Sequence, residues 1–353
     1  MIEMLSANSP LPTAGSLGFG KYIADHIAIC RYRAGDGWSE PQVVPYQDFA
    51  LNPCALVLHY GQSIYEGLKA YRQMNGSIAL FRPERNAARF RASARRMAMA
   101  EMPERLFVQA MTDLTRHQRH LVPDPRSGSL YLRPVMIADE AAFGVRRASS
   151  YLFFVVASPV DDLYRADGRG MRLRATEDYT RATAKGGGDA KTSGNYGRTI
   201  LALDEARADG FDNVLWLDPN GLDLIEEAGI TNVFLRTSDR RILTPPLNGR
   251  ILAGVTRETV IAQSRRWGLE VEEREISITE LANGILNGKV TEVFMTGTAT
   301  HIAPVASISW RENEYRLPDA PFSSSLAGRL SIHIRDVQTG ISPDPEGWMT
   351  NVE

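Results

Sequence analysis

Apolar and polar positions along the chain alternate between short runs of strand length and longer amphipathic segments, the pattern of an α/β (α+β) protein rather than a sandwich or a bundle. In the first half, residues 26–32, 77–81, 129–138 and 151–157 are rich in β-branched, aromatic and leucine side chains and are expected to pair in one sheet. Residues 83–99 and 106–120 carry the helical period, the first opened by Pro83 at a permitted first-turn position. The segment SPVDDLYRADGRG at 158–170 concentrates proline, aspartate and glycine, which marks a linker between a first domain at 1–157 and a second at 171–353. In the second, strand runs at 171–176, 213–217, 231–235, 271–276 and 291–295 alternate with helical stretches near 197–208 and 255–267, and a helix near 324–336 follows. Such an order predicts mixed strand directions.

Composition sharpens this picture. A chain of 353 residues is longer than one hydrophobic core usually supports, in keeping with two domains. Lys plus Arg total 40 against 42 Asp plus Glu, a net charge of −2, so no overall positive field gathers nucleic acid or anionic lipid. Any anion must be held locally. No stretch reaches eighteen apolar residues and the first twenty residues lack a basic start with an apolar core, so the expectation is a cytoplasmic protein without a membrane span. Cys30 and Cys54 are too few for a disulfide framework and lack zinc-ligand spacing, so a reducing compartment and no metal site are expected.

The glycine-rich stretch Gly186 to Gly197 contains Lys191 followed by Thr192. A phosphate loop would need glycine immediately before the lysine and six residues before it, where this chain has Ala190 and Lys185. By itself the stretch reads as a mobile loop with a solvated lysine. Glu226 and Glu227 stand just ahead of an apolar run, either as a solvated strand end or as carboxylates able to hold a cationic ring nitrogen. Gly254-Val255-Thr256 opens a helix whose first N–H groups suit a phosphate, and Gly297-Thr298-Ala299-Thr300 is a second small-residue turn. On the helix after Pro83, Arg85, Arg89 and Arg96 share a face, and Arg89 borders the Phe90/Met97 stripe, which makes it the arginine best placed to reach inward. A lysine, a carboxylate, an arginine and phosphate-binding turns together suit pyridoxal phosphate.

These residues sit in motifs that resemble the branched-chain amino acid aminotransferases of the fold-type IV pyridoxal phosphate enzymes. The resemblance runs from about residue 19 to 305. It includes LHYGQSIYEGLKAYR (58–72), LFRPERNAARF (80–90), LYLRP (130–134), AKTSGNYG (190–197), the Glu227-x-Gly229-x-x-Asn232 pattern, TPPLNGRILAGVTR (244–257) and EVFMTGTA (292–299). It implies a small N-terminal domain, a larger C-terminal one, and pyridoxal 5'-phosphate between them. Lys191 then resembles the Schiff-base lysine and Glu227 the partner of the pyridine nitrogen. Arg89, Val255, Thr256 and Thr298 match phosphate contacts, and Tyr196 the tyrosine near the ring hydroxyl. Tyr60, Tyr65 and Tyr131 match positions around the substrate side chain, Arg133 the partner of a distal carboxylate, and Thr298-Ala299 the turn that receives the α-carboxylate.

The implied reaction moves the amino group of L-leucine, L-isoleucine or L-valine to 2-oxoglutarate, the alternative being a fold-type IV transaminase for an aromatic or specialised amino acid. Phe143 and Val145 match positions that complete the pocket across a homodimer interface. Departures from the family pattern are Ile230-Thr231 where threonine-methionine is familiar, Phe143 in place of an aliphatic residue and Ser193 in place of glycine. Thr300 and Ala303 replace a cysteine pair found in some relatives, so no thiol switch is expected there.

Overall fold

A computed structural model of the chain describes residues 2–6, 9–13, 15–161, 169–183, 185–221 and 223–352. The chain divides into two compact units, Met1–Leu163 with Ala190–Gly194 and Arg335–Glu353, and Tyr164–Asp189 with Asn195–Ile334.

In the first unit the strands lie in the order Met349–Asn351, Ile78–Phe81, Leu68–Arg72, Ser129–Ile137, Ser150–Val160, His26–Arg33 and Gly37–Trp38, and neighbours run antiparallel. Ser63–Tyr65 pairs with Ser129–Ile137, and Gln42–Pro45 with His26–Arg33. The period of two sorts the side chains onto two faces. Leu68, Ala70, Leu130, Leu132, Phe153 and Val155 share a core with Phe90 of helix Pro83–Arg96 and Phe107 of helix Glu104–His117. The three phenylalanine rings meet at centroid distances of 5.2, 5.6 and 6.0 Å. Register places Lys69 opposite Tyr131 on the other face, together with Tyr71 and Arg133.

The four expected strands of this half all join that sheet. Helix Pro83–Arg96 ends three residues early because Ala98 adopts a left-handed φ of 52°. Strand Ser150–Val160 continues through Ser158, Pro159 and Val160, opposite Tyr131, Leu130 and Ser129, so the predicted linker loses its first three residues to the sheet. Residues 162–168 of that linker lie outside the described residues. Ser63–Tyr65, Leu68–Arg72 and Met349–Asn351 carry no readable strand signal, since Glu66-Gly67 breaks one apolar run into two pieces and the third is only three residues long.

In the second unit, strands Ile225–Ala228, Asn213–Leu217, Met171–Thr176, His301–Trp310, Val290–Gly297 and Thr231–Thr237 are neighbours in that order. The path closes on itself, because Ile225–Ala228 pairs with both Asn213–Leu217 and Thr231–Thr237. Closure leaves no edge among these six. Met171–Thr176 is parallel to both neighbours and the remaining pairs are antiparallel, so the expected mixture of directions is present. Leu173, Leu215, Val233, Leu235, Val293 and Met295 pack with Ile278, Leu281 and Ile285 of helix Ile278–Leu286, an element the periodicity did not indicate. The expected strand at 271–276 is shorter, Val271–Glu273. Glu226 and Glu227, read as lying ahead of a strand, belong to a strand of their own, which a hydropathy pattern cannot register because charge partners rather than apolar side chains neutralise it.

Candidate active site

Lys191 is anchored through its backbone in the first unit. Its N–H donates to Ser93 Oγ (2.9 Å) on helix Pro83–Arg96, and its carbonyl accepts from the Tyr65 N–H (3.0 Å). Thr192 bridges to Ile64 and its hydroxyl donates to the Ser63 carbonyl (2.8 Å), so 191–192 run as a short extra rung against Ser63–Tyr65. A glycine-rich loop would otherwise spend much conformational entropy in settling there; these bonds offset part of it. Lys191 Nζ lies 4.4 Å from the Tyr65 ring centroid, a cation–π distance.

Arg133 completes this group. Its guanidinium stands 4.8 Å from the Tyr65 ring centroid and 5.2 Å from that of Tyr131, and it donates to Tyr131 Oη (3.0 Å). Tyr131 reaches that place because residue 67 is glycine: a Cβ there would overlap the Tyr131 hydroxyl. Lys191, Tyr65, Tyr131 and Arg133 therefore converge from three segments.

Arg89 is the inward arginine of its helix, while Arg85, Arg95 and Arg96 are exposed. Its Nε donates to Glu66 Oε1 (2.6 Å) and its Nη2 to Glu66 Oε2 (2.8 Å). Glu66 is fully buried and also accepts from Asn86 Nδ2 (2.8 Å) and the Gly67 N–H (3.1 Å). Burial by itself pushes the Glu66 carboxyl up, but Arg89, Lys191 and Asn86 together hold it below the usual glutamate value.

Tyr60, Phe143 and Val145 stand elsewhere in this unit. Tyr60, on the short helix Leu56–Tyr60, accepts from the Gly144 N–H (3.0 Å), and the His59 ring lies 5.2 Å from that of Phe143. Phe143 and Val145 are 73% and 85% exposed, and Leu58 on the same helix is 59% exposed.

The second unit holds the remaining candidates. Glu227 is buried; its Oε1 accepts from Asn232 Nδ2 (2.9 Å) and the Leu252 N–H (3.3 Å), and its Oε2 lies 2.7 Å from Arg181 Nε. Beside it, Glu226 pairs with Arg250 (2.6 Å). Burial pushes the Glu226 carboxyl up to about 7 against the pull of Arg250 and Arg181. Val255 and Thr256 form the first turn of helix Val255–Arg266, whose N-cap is Gly254 with no side-chain cap. Uncapped N–H groups at such a start attract an anion. Thr298 and Ala299 occupy the half-exposed turn between Val290–Gly297 and His301–Trp310, and Tyr196 is half-buried.

Residue-type patterns alone missed Glu66, Asn86, Ser93, Arg181 and Arg250, all of them partners of the candidates rather than candidates. The one usable signal was local: Glu66, Asn86 and Arg250 fall inside motifs singled out for other residues. Among the described residues, no group of three or more His, Cys, Asp or Glu side chains is placed to hold a metal ion, and no helix is long and apolar enough to cross a membrane.

The chain matches the family described as amino-transferase class IV over residues 63–308. A probable branched-chain-amino-acid aminotransferase of Streptomyces coelicolor is 41% identical over 333 residues, covering 94% of this chain and 91% of that one. Branched-chain-amino-acid aminotransferase 2 of Bacillus subtilis is 36% identical, covering 99% of this chain and 96% of that one. Among solved structures, the T.th. branched-chain amino acid aminotransferase complexed with N-(5'-phosphopyridoxyl)-L-glutamate superposes with a TM-score of 0.73 at 28% identity, covering 92% of this chain and 99% of that one.

Proposed function

This chain belongs to the class IV aminotransferases, and from that premise we propose that it transfers the amino group of L-leucine, L-isoleucine or L-valine to 2-oxoglutarate with pyridoxal 5'-phosphate as cofactor. The observation that carries the reading is the setting of Lys191: a lysine pinned by its own backbone, with its amine over the Tyr65 ring and within the field of the Glu66 carboxylate. The donor set fits the cofactor. Arg89 and the uncapped start of helix Val255–Arg266 suit a phosphate, and the buried carboxylate of Glu227 suits a protonated ring nitrogen.

When bound, pyridoxal phosphate supplies an aldehyde that condenses with amines and a ring that accepts the electron pair released at Cα. Lys191 would hold the cofactor through its Nζ and, as a free neutral amine, would take up and return the proton that leaves the substrate Cα. Glu227 would keep a proton on the ring nitrogen, its carboxylate directed by Asn232 and Arg181. Arg89, Val255, Thr256 and Thr298 would hold the phosphate, and Tyr196 would meet the ring hydroxyl. Tyr65 and Tyr131 wall the side-chain pocket, and Arg133 between them meets the distal carboxylate of glutamate. Thr298 and Ala299 take the α-carboxylate.

The proposal includes two domains, a cytoplasmic setting and a homodimer. The exposed apolar side chains of Leu58, Phe143 and Val145, clustered near Tyr60, favour the dimer. Sedimentation of a Phe143→Asp/Val145→Asp variant as a monomer supports it, and an unchanged dimer removes these residues from the interface.

The principal test is the visible absorption of purified protein with pyridoxal phosphate, before and after L-leucine and then 2-oxoglutarate. A band lost with leucine and restored by the oxo acid supports both half-reactions. A band that ignores leucine, isoleucine and valine and responds to an aromatic or other amine overturns the substrate assignment; absence of any band overturns the cofactor.

A further inference from the structure

Glu66 has no assigned part in the reaction, yet it is the most completely enclosed carboxylate touching any of the candidate residues. Both of its oxygens are committed. Oε1 receives Arg89 Nε at 2.6 Å, and Oε2 receives Arg89 Nη2 and Asn86 Nδ2, both at 2.8 Å, with the Gly67 N–H at 3.1 Å. Two parallel bonds from one guanidinium to one carboxylate fix the plane of the guanidinium as well as its distance. Arg89 is the end of a long side chain with about 2 kcal/mol of rotamer entropy, so without such a clamp it has several places to go.

The clamp is itself held. Asn86 sits one helical turn before Arg89 on helix Pro83–Arg96, and its amide also donates to the Gly67 carbonyl (3.2 Å). Gly67 follows Glu66 directly, and Tyr65 immediately before it bonds to Lys191. The dipeptide Glu66-Gly67 thus interrupts the strand run between Ser63–Tyr65 and Leu68–Arg72, and that interruption puts a buried charge where a continuous strand would have put a neutral rung.

We propose that Glu66 is a positioning residue that presets Arg89 for the cofactor phosphate and ties that arginine to the Lys191 segment through the Tyr65-Glu66-Gly67 backbone. The inference rests on the assignment of pyridoxal phosphate made above. Its consequence is geometric rather than electrostatic. The negative charge of Glu66 by itself opposes a phosphate; what it contributes is the orientation of the cation that the phosphate meets.

Glu66→Asp separates the two contributions, because it keeps the charge and withdraws it by about 1.5 Å, one C–C bond. The measurement is the pair of dissociation constants of cofactor-free, full-length protein for pyridoxal, which lacks the phosphate, and for pyridoxal 5'-phosphate. The ratio of the first to the second reads the phosphate contribution and cancels losses shared by both ligands. Glu66→Asp is expected to lower the ratio about tenfold or more, in line with the loss of one well-aligned charge-assisted bond. In an Arg89→Gln background the same substitution is expected to leave the ratio where Arg89→Gln has put it. Asn86→Ala, which leaves Glu66 and Arg89 in place and removes the amide between them and Gly67, is expected to lower the ratio in the same direction by a smaller factor, and serves if Glu66→Asp does not fold.

An unchanged ratio in the folded Glu66→Asp or Asn86→Ala protein overturns the inference, as does an equal drop in the Arg89→Gln background. Wild-type protein that binds neither ligand overturns the cofactor assignment instead, so the two failures are told apart.

Discussion

Replacing Gly254 by alanine tests how the Glu227 carboxylate is held. Gly254 has φ −68° and ψ 132°, angles open to any residue, so alanine brings no backbone strain and even gains about 0.4–1 kcal/mol from a less flexible unfolded chain. The cost is steric. A Cβ at this position would overlap Asn232 Oδ1, with Arg257 Cβ a further 3.2 Å neighbour. Asn232 must move, and its Nδ2 bonds to Glu227 Oε1 and to the Leu252 carbonyl are both 2.9 Å. Losing a bond to a buried carboxylate costs ~1.5–3 kcal/mol and a neutral one ~0.5–1.5 kcal/mol, so after the entropic gain Gly254→Ala is expected to destabilise the protein by about 1–4 kcal/mol. Urea unfolding of the cofactor-free protein followed by circular dichroism measures this. The decisive comparison is the same substitution in an Asn232→Ala background, where the obstructing amide is gone and the cost should fall below about 1 kcal/mol. A full-sized penalty in that background, or a cost below about 1 kcal/mol in the wild type, would refute the collision and with it the account of how Glu227 is oriented.

Three further outcomes are expected. Lys191→Ala should lose the visible band and at least about a thousandfold in turnover, because the proposed function makes one side chain both covalent anchor and proton carrier; turnover near the wild type would remove Lys191 from the mechanism. The Glu226 carboxyl is raised from 4.5 to about 7, so the unfolded chain releases this proton first and the group's contribution to stability, complete below about pH 4.5, is lost as pH rises to about 7. Unfolding measured across that window should show the advantage of wild type over Glu226→Gln shrinking with rising pH, and a constant difference would contradict the assignment. Burial first and Arg335 second lower the Lys69 ammonium from 10.5 to about 7, so its contribution is complete above about pH 10.5 and lost as pH falls towards 7. Lys69→Met should therefore stabilise the protein at pH 7 by ~3–5 kcal/mol with the gain vanishing near pH 10.5, and a destabilised variant at pH 7 would show that Lys69 is compensated.

The linear sequence by itself determined the fold class, most long strands and helices and which side chains are the candidates for chemistry. Those features are local: a period of two or 3.6, a proline at a helix start, a lysine or glutamate inside a recognisable motif. Strands 171–176 and 213–217 were legible to the residue, the first because apolar Met171, Leu173 and Ala175 alternate with Arg172, Arg174 and Thr176, the second because Val214 to Leu217 is a continuous apolar run. Ile225–Ala228 was not, since two buried glutamates look like a solvated bend until Arg181 and Arg250 are known to face them.

Only the tertiary structure decided the partners. Lys191 on a glycine-rich stretch reads as a solvated loop lysine, and it is the bonds from Ser93 and Tyr65, about a hundred residues away along the chain, that hold it. Arg89 reads as the one of five helix arginines best placed to reach inward, but nothing along the helix says what holds its guanidinium; that partner, Glu66, arrives from another segment. The physical reason is the same in each case. Periodicity reports which face of an element is apolar, whereas the placement of a charge is set by an opposite charge or hydrogen-bonding group that arrives from a distant segment, and burial makes that pairing obligatory.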